Sequence, residues 1–340
     1  MGKMGKMGKM KKILALMMSL SMLCLLTACG NSKSASSKTT NDISWPKKTI
    51  QLIVPYGAGG DTDANARATA TALKKILGTN VVVTNIAGAG GTTGALAVNS
   101  AATDGYTFLF GHQTVLFNQA AGSVPFDYLK DFIAVGSPMF DSSYAMFVRG
   151  DAPYSTLGKL AEYCKANPET LRIIASKNSS SGHLADSFEK ALGGVSFRHI
   201  EGPSSVNEKL AGFLSGQNDI LTGNYSLFKD YVAEGKIKCL GNYGSTNVPE
   251  LEKQGIKSWK SQGYNYANDF VFMLRAKKGT DKKIIEKMEQ ALKKVSEDSE
   301  FVKSISVRNV TPKFLNGEGC LEVEKNYFED SKKFLTAKGK

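Results

Sequence analysis

The chain has 340 residues, 42% of them hydrophobic, with 43 Lys and Arg against 31 Asp and Glu for a formal charge of +12. The excess charge does not describe a nucleic-acid surface, because the lysines are spread along helix-like stretches such as DKKIIEKMEQALKKVSED instead of clustering with interleaved aromatics. A solvated helix face accounts for them.

At the N-terminus, Lys11 and Lys12 precede an uncharged run from Ile13 to Leu26, and LTACG, Leu26 to Gly30, follows. Leucine, two small residues and cysteine form a lipoprotein cleavage pattern, so residues 1–28 are expected to be an export signal and Cys29 a lipidated residue. The apolar run is too short for a membrane span of about twenty residues. Met1 to Lys9 repeat MGK three times, and the natural signal is expected to begin at Met10. Residues 29–44 are small, polar and poor in apolar groups, the composition of a flexible tether. Without residues 1–28, which hold five lysines and no acid, the balance is 38 basic against 31 acidic, or +7. The folded part should start near Trp45 and Pro46, leaving about 295 residues, enough for one large or two medium α/β domains.

From there short apolar runs alternate with helical patterns. TIQLIV reads as a buried strand, and NARATATALKKILG puts Ala66, Ala70, Leu73 and Leu77 on one helical face before stopping at Gly78. NVVVTN is a strand, ALAVNSAA a helix and YTFLFG a strand, which gives βαβαβ and a mostly parallel sheet. The rhythm returns with YAMFV and RIIAS as strands, STLGKLAEYCKA and GHLADSFEKALG as helices, then FRHI, SVNEKLAGFLSG, KIKCLGNY and a Lys-rich helix from Asp281. Two α/β lobes are the natural reading.

Two glycine-rich turns stand out, PYGAGGDTD after the first strand and NIAGAGGTTGALA after the second. A bare turn at a helix N-terminus offers amide N–H groups to an anion. In an open parallel sheet both turns would lie at the carboxyl ends of strands, where such folds bind ligands. Gly88, Gly90 and Gly94 space as G-x-G-x-x-x-G after the second strand, a poor match to a dinucleotide fingerprint, and no Gly-Lys-Ser/Thr phosphate loop occurs. There is no G-x-S-x-G elbow, and the serines beside His183 have no identifiable acid partner. His112, His183 and His199 lack metal-motif spacing, so no metal site and no cofactor are expected. Cys24 leaves with the signal; Cys164, Cys239 and Cys320 are expected to be buried or half-buried thiols, with one disulfide as the alternative.

Trp45 to Gly111 resembles the substrate-binding proteins of tripartite tricarboxylate transporters. The resemblance lies in the Pro-Tyr-x-x-Gly-Gly-x-x-Asp turn with Arg67 four residues on, the Gly-Ala-Gly-Gly turn, and Asp104-Gly105-Tyr106-Thr107. SSGHLA, HIEGPSSVNEKLAGFLSGQNDI and EGKIKCLG are similar to segments of the family's second lobe, and the likeness extends more thinly to the C-terminal helix.

What this resemblance implies is a lipid-anchored, extracytoplasmic receptor with two lobes of the periplasmic type II class. It would close on a small carboxylate or amino acid and deliver it to membrane permease subunits, as a monomer and without nucleic acid. Lobe one is expected at 45–143 plus 242–340 and lobe two at 144–241, with crossings near Ser143 to Val148 and Lys238 to Gly241. The backbone of Gly57, Ala58, Gly59, Gly60, Asp61 and Thr62 would donate N–H groups to a ligand carboxylate, with Gly88, Gly90, Gly91 and Thr92 completing the floor. Ser179, Ser180, Ser181 and Gly202 would serve the other end, against a competing role for Ser179 and Ser181 in turn and cap chemistry. Tyr56, Asp63 and His183 complete the expected site, although an ion pair with Arg67 explains Asp63 and capping or packing explains His183. Asp104 is expected to be a turn residue.

The departures from the family pattern bear on charge. Asp61 adds a carboxylate, Glu201 stands where the family commonly has a non-acidic residue, and Lys177 and Ser179 replace common glycines. Added negative charge disfavours polyanions, so the ligand is expected to carry fewer negative charges than citrate, as a monocarboxylate or an amino acid whose ammonium pairs with Asp61 or Glu201. A solute-sensing lipoprotein is the next reading and an exported enzyme the last.

Overall fold

The computed structural model describes residues 43–176, 179–203 and 206–337. The expected signal, Cys29, nearly all of the tether and Lys177 lie outside the described residues. The described residues from Ser44 onward form one compact unit. Its chain begins β1 (Ile50–Val54), α1 (Asp61–Leu77), β2 (Val81–Asn85), α2 (Thr92–Asn99) and β3 (Thr107–Gly111), the βαβαβ order read from the sequence. Short helices α3 (Leu116–Ala120) and α4 (Tyr128–Asp131) lead into β4 (Phe132–Asp141). Next come β5 (Tyr144–Arg149), α5 (Leu157–Ala166), β6 (Arg172–Ile174), α6 (Ser180–Ala191), β7 (Arg198–Ile200), α7 (Val206–Leu214) and β8 (Ile220–Asn224). Then follow α8 (Lys229–Ala233), β9 (Ile237–Asn242), α9 (Pro249–Glu252), β10 (Phe270–Lys277), α10 (Lys282–Glu297), α11 (Ser299–Ser306), β11 (Thr311–Asn316) and α12 (Gly317–Ala337).

Local chemistry explains the main elements. Ile50, Leu52, Ile53 and Val54 are all buried, so β1 is an apolar run with helices over both faces and not an alternating strand. Acidic Asp61 and Asp63 open α1, Lys74 and Lys75 close it, and Gly78 ends it at φ 67° with its N–H on the Lys74 carbonyl. In α10, Ile284, Met288, Leu292 and Val295 are buried while Lys282, Lys283, Lys293 and Lys294 face solvent, the solvated face expected for its lysines.

Two sheets result, with orders β11-β4-β10-β3-β1-β2 and β7-β6-β8-β5-β9. Both are mixed, which corrects the expectation of mostly parallel sheets. In the first, β1, β2 and β3 are parallel, but β10 lies antiparallel to β3 and β4, and β11 antiparallel to β4. In the second, β6 is parallel to β7 and β8, whereas β5 is antiparallel to β8 and β9. The rhythm of strands and helices does not give strand direction, so the antiparallel pairing of β10 with β3 and β4, and of β11 with β4, escapes it.

The passages between sheets also differ from expectation. β4 ends at Asp141 in the first sheet and β5 begins at Tyr144 in the second, so the first passage is the two residues between them. β9 is no crossing: it pairs along β5 as an edge strand of the second sheet. Val248 and Leu251 share a buried cluster with Phe147, Phe213 and Leu221 of that sheet's side, and Tyr243, Trp259 and Tyr266 pack round Phe188 of α6. The return passage therefore falls after Tyr266, because these apolar side chains need the second core for burial.

The first sheet has its own core, in which Ile53, Leu109, Val115 and Leu116 meet Tyr128 and Phe132. Buried Arg275 of β10 pairs with buried Glu324 and fixes α12 across that sheet. Cys164 and Cys320 are buried and Cys239 half-buried, all free thiols. Burial pushes them up to about 11, 12 and 12 for Cys164, Cys239 and Cys320. Among the described residues no helix is long and apolar enough to cross a membrane.

Candidate functional site

In each sheet the parallel strands end together. Tyr56 and Gly57 follow β1, Gly88 to Gly91 follow β2, and His112 and Thr114 follow β3; Ser176, Gly202 and Asn224 stand at the ends of β6, β7 and β8. All of them border one cavity of about 710 Å³. The strand ends of an α/β sheet are where its loops can present backbone amides to a ligand.

The wall on the first sheet is backbone held by side chains. Asp63, buried in the first turn of α1, accepts the Gly59 N–H at 3.0 Å and pairs with Arg67 at 2.9 Å. Burial would raise the Asp63 carboxyl, but that double engagement outweighs it and keeps the group below its usual range. Arg67 reaches on to the Asn85 side-chain oxygen at 3.2 Å, and the Asn85 amide donates to the Tyr56 carbonyl at 3.1 Å. The first turn is thereby locked to the second strand. In the second turn, Gly88, Gly90 and Gly91 have φ of 139°, 61° and 98°, conformations that favour glycine. The Asn118 amide ties that turn down by donating to the Ala89 and Gly90 carbonyls and the Thr92 hydroxyl. A Cβ on Gly90 would meet that amide at 2.8 Å.

Behind these turns, His112 stacks on Tyr56 with centroids 5.1 Å apart and bonds Thr114 at 2.7 Å. Burial, helped by Arg275, drives the His112 ring down to about 3, so it is neutral, while burial lifts Tyr56 to about 12. Asp61 borders the cavity, and its carboxylate accepts the Tyr144 hydroxyl from β5. Burial raises the Asp61 carboxyl above its ordinary value; the Tyr144 bond and Arg308 act against that. Deeper, where the chain leaves β4, Asp141 accepts the Ser143 N–H and hydroxyl, each at 2.7 Å, and the Asn224 amide. Complete burial lifts Asp141 to about 7.

The wall on the second sheet is made of side chains. Ser179 caps α6: its hydroxyl accepts the Gly182 N–H at 3.2 Å, donates to the Ser176 carbonyl at 2.6 Å and lies 2.8 Å from the Ser181 hydroxyl. Ser181 in turn accepts the Ser176 N–H at 3.2 Å. Both serines therefore have cap roles although both border the cavity. The His183 ring packs between Phe117 and Phe334, and burial lowers its pKa, so it too is neutral at pH 7. His199 of β7 lies 3.3 Å from Glu189 and 3.9 Å from Asp186 of α6, and the three groups could share a metal ion. The imidazole itself bridges the two carboxylates and staples β7 to α6.

Of the residues expected to bind ligand, Tyr56, Gly57, Asp61, Gly90, Gly91, Ser179, Ser180, Ser181, His183 and Gly202 border the cavity. Ala58, Gly59, Gly60, Thr62, Asp63 and Thr92 do not; Asp63 and Thr92 brace the turns from behind. Glu201 is exposed and accepts the Ser176 hydroxyl outside the cavity lining, so it adds no carboxylate there. Asp104 is the expected turn residue, accepting the Tyr106 N–H and pairing with Lys48. Sequence reasoning missed Tyr144, Thr114, Lys209, Asn224, Tyr243 and Tyr266, which border the cavity from elements distant in the chain. Tyr144 lies within the expected crossing from Ser143 to Val148, and that position was the available signal.

Comparison with known proteins agrees with this geometry. The family model described as tripartite tricarboxylate transporter family receptor matches residues 65–337. A protein of the gbd 5' region of Cupriavidus necator is 29% identical over 274 residues, covering 81% of this chain and 82% of its own. Protein BugT of Bordetella pertussis is 27% identical over 281 residues, covering 79% and 82%. The solved periplasmic binding protein BugD superposes with a TM-score of 0.74 at 25% identity, over 87% of this chain and 99% of that one. The chain thus belongs to the receptor family of the tripartite tricarboxylate transporters and is an extracytoplasmic solute-binding receptor.

Proposed function

We propose that this receptor captures a small carboxylate between two lobes, one built on each sheet, and delivers it to membrane permease subunits while held at the membrane by a lipid on Cys29. The observation that carries the ligand class is the wall of bare turns at Tyr56–Gly57 and Gly88–Gly91, braced from behind by Asp63 and Asn118. Such turns supply N–H donors and the positive end of α1 to an anion. Ser180 and Gly202 face the other end of the ligand, with Ser179 and Ser181 shaping the loop and His183 the apolar side. The protein acts as a monomer and turns nothing over.

Asp61 tunes the charge. Its carboxylate stands beside the anion site, and it repels a further negative charge there or accepts a ligand ammonium. The ligand accordingly carries fewer negative charges than citrate. A thermal-shift screen of the chain from Trp45 onward, against mono-, di- and tricarboxylates, amino acids and nucleotides, tests the reading. A ligand at one hundred times its Kd adds about 2.7 kcal/mol. Hits confined to carboxylates or amino acids support it, and stabilisation by nucleotides alone overturns it. Asp61→Asn should shift relative affinity toward dianions by about tenfold; unchanged ratios in calorimetric titrations would sink the role given to Asp61.

A further inference from the structure

Lys209 lies on α7, a helix whose Val206, Leu210 and Phe213 face the second core. That spacing turns residue 209 to the edge of the buried stripe, and the side chain borders the cavity next to Val206. Among the described residues that line the cavity it is the only lysine or arginine. The other titratable groups there do not duplicate it. His112 and His183 are neutral, and Asp61 lies on the first sheet's side, engaged by Tyr144. Asp330 is exposed and pairs with Lys333 at 3.2 Å, while Glu208 on the same helix faces solvent. Burial disfavours the charge on the Lys209 ammonium, and among the described residues no carboxylate offsets it.

A half-buried cation without an anion is costly, and a ligand can supply the missing partner. We propose that Lys209 receives an anionic group at the far end of the ligand, opposite the carboxylate held by the glycine turns, and so selects short skeletons with two acidic ends over those with one. This inference rests on the carboxylate reading above and adds the residue that sets specificity. It agrees with a ligand less charged than citrate, since the cavity then offers one amide-lined anion site, one ammonium and, at Asp61, a place for a cationic substituent.

The test uses pairs matched in carbon skeleton: succinate with butyrate, glutarate with valerate, and glutamate with norvaline. Each is titrated calorimetrically against the wild-type protein and against Lys209→Met, which keeps the apolar stem. Removing one charge-assisted hydrogen bond should cost about tenfold or more in affinity. The expected result is a wild-type preference of at least about tenfold for the diacid member of a bound pair, reduced to about twofold or less in the variant, with mono-acid affinity unchanged. Lys209→Gln, checked by melting without ligand, provides a second variant if Met at this edge disturbs folding. A diacid preference that survives both substitutions, or a wild-type preference for the mono-acid member, overturns the inference and leaves the carboxylate reading intact. Failure of the wild-type protein to bind any carboxylate overturns both.

Discussion

The two walls of the cavity solve the same problem with different materials. On the first sheet, two turns whose own residues are mostly glycine turn backbone to the cavity, and Asp63, Arg67, Asn85 and Asn118 hold those turns from behind. On the second, side chains face the cavity, with Ser180 and His183 on α6, Lys209 on α7 and Asn224 at the end of β8. A backbone wall recognises what every member of a ligand class shares, because amide donors are present whatever the side chains. A side-chain wall can change its charge with single substitutions, so it is the place for discrimination within the class.

The largest effect is expected where the two walls meet. Asp141, fully buried at the passage from β4 to β5, holds its proton up to about pH 7 in the fold, against an ordinary 3.8. The folded state therefore binds the proton more tightly than the unfolded chain, so this group's contribution is fully present below about pH 4 and is lost as pH rises toward 7, by at most about 4 kcal/mol. Asp141→Asn should flatten that fall, whatever its cost at one pH. The measurement is the difference between variant and wild-type urea stability from pH 4.5 to 7.5, and parallel curves would refute the assignment.

Next comes a direct break of the backbone wall. Gly94 opens α2 so closely against the first turn that a Cβ would meet the Ile86 carbonyl oxygen and the Pro55 Cα, each at 2.8 Å. Neither is the end of a flexible side chain, so Gly94→Ala should cost about 3 kcal/mol by chemical denaturation and weaken every ligand alike. Smaller still is the side-chain wall's own support. Ser179→Ala removes the α6 cap and should cost about 1 kcal/mol, with affinity changed by about twofold or less because that hydroxyl is already engaged by Ser176, Gly182 and Ser181. A large fall in affinity at unchanged stability would move Ser179 from support to direct ligand binding and blur the division between the walls.

The same division explains how much could be read from the chain. The first wall is contiguous: strand, glycine turn, acid and arginine fall within Gln51 to Arg67, and each has a local reason, so its composition is a motif. Asp63 is legible even in its bracing role, because an acid four residues before an arginine predicts the pair that forms. The second wall is assembled across the chain. Tyr144 meets Asp61 from 83 positions away, and Lys209 is an ordinary helix lysine until β8 and the loop after β7 close round it. The antiparallel strands are illegible for a related reason, since FVFMLRAK of β10 is an apolar run whose partners, β3 and β4, are fixed only by the whole sheet. Glu201 errs in the other direction: its position beside Gly202 suggests the cleft, but the backbone turns its side chain to Ser176 and solvent.

The three shielded thiols have a practical consequence. Attack on maleimides and similar electrophiles needs thiolate, and burial holds Cys164, Cys239 and Cys320 away from that form at neutral pH. In the domain from Trp45 onward, a cysteine introduced at the cavity rim would be the fast-reacting sulfur, and a dye attached there would turn ligand capture into an optical signal without first removing the native cysteines.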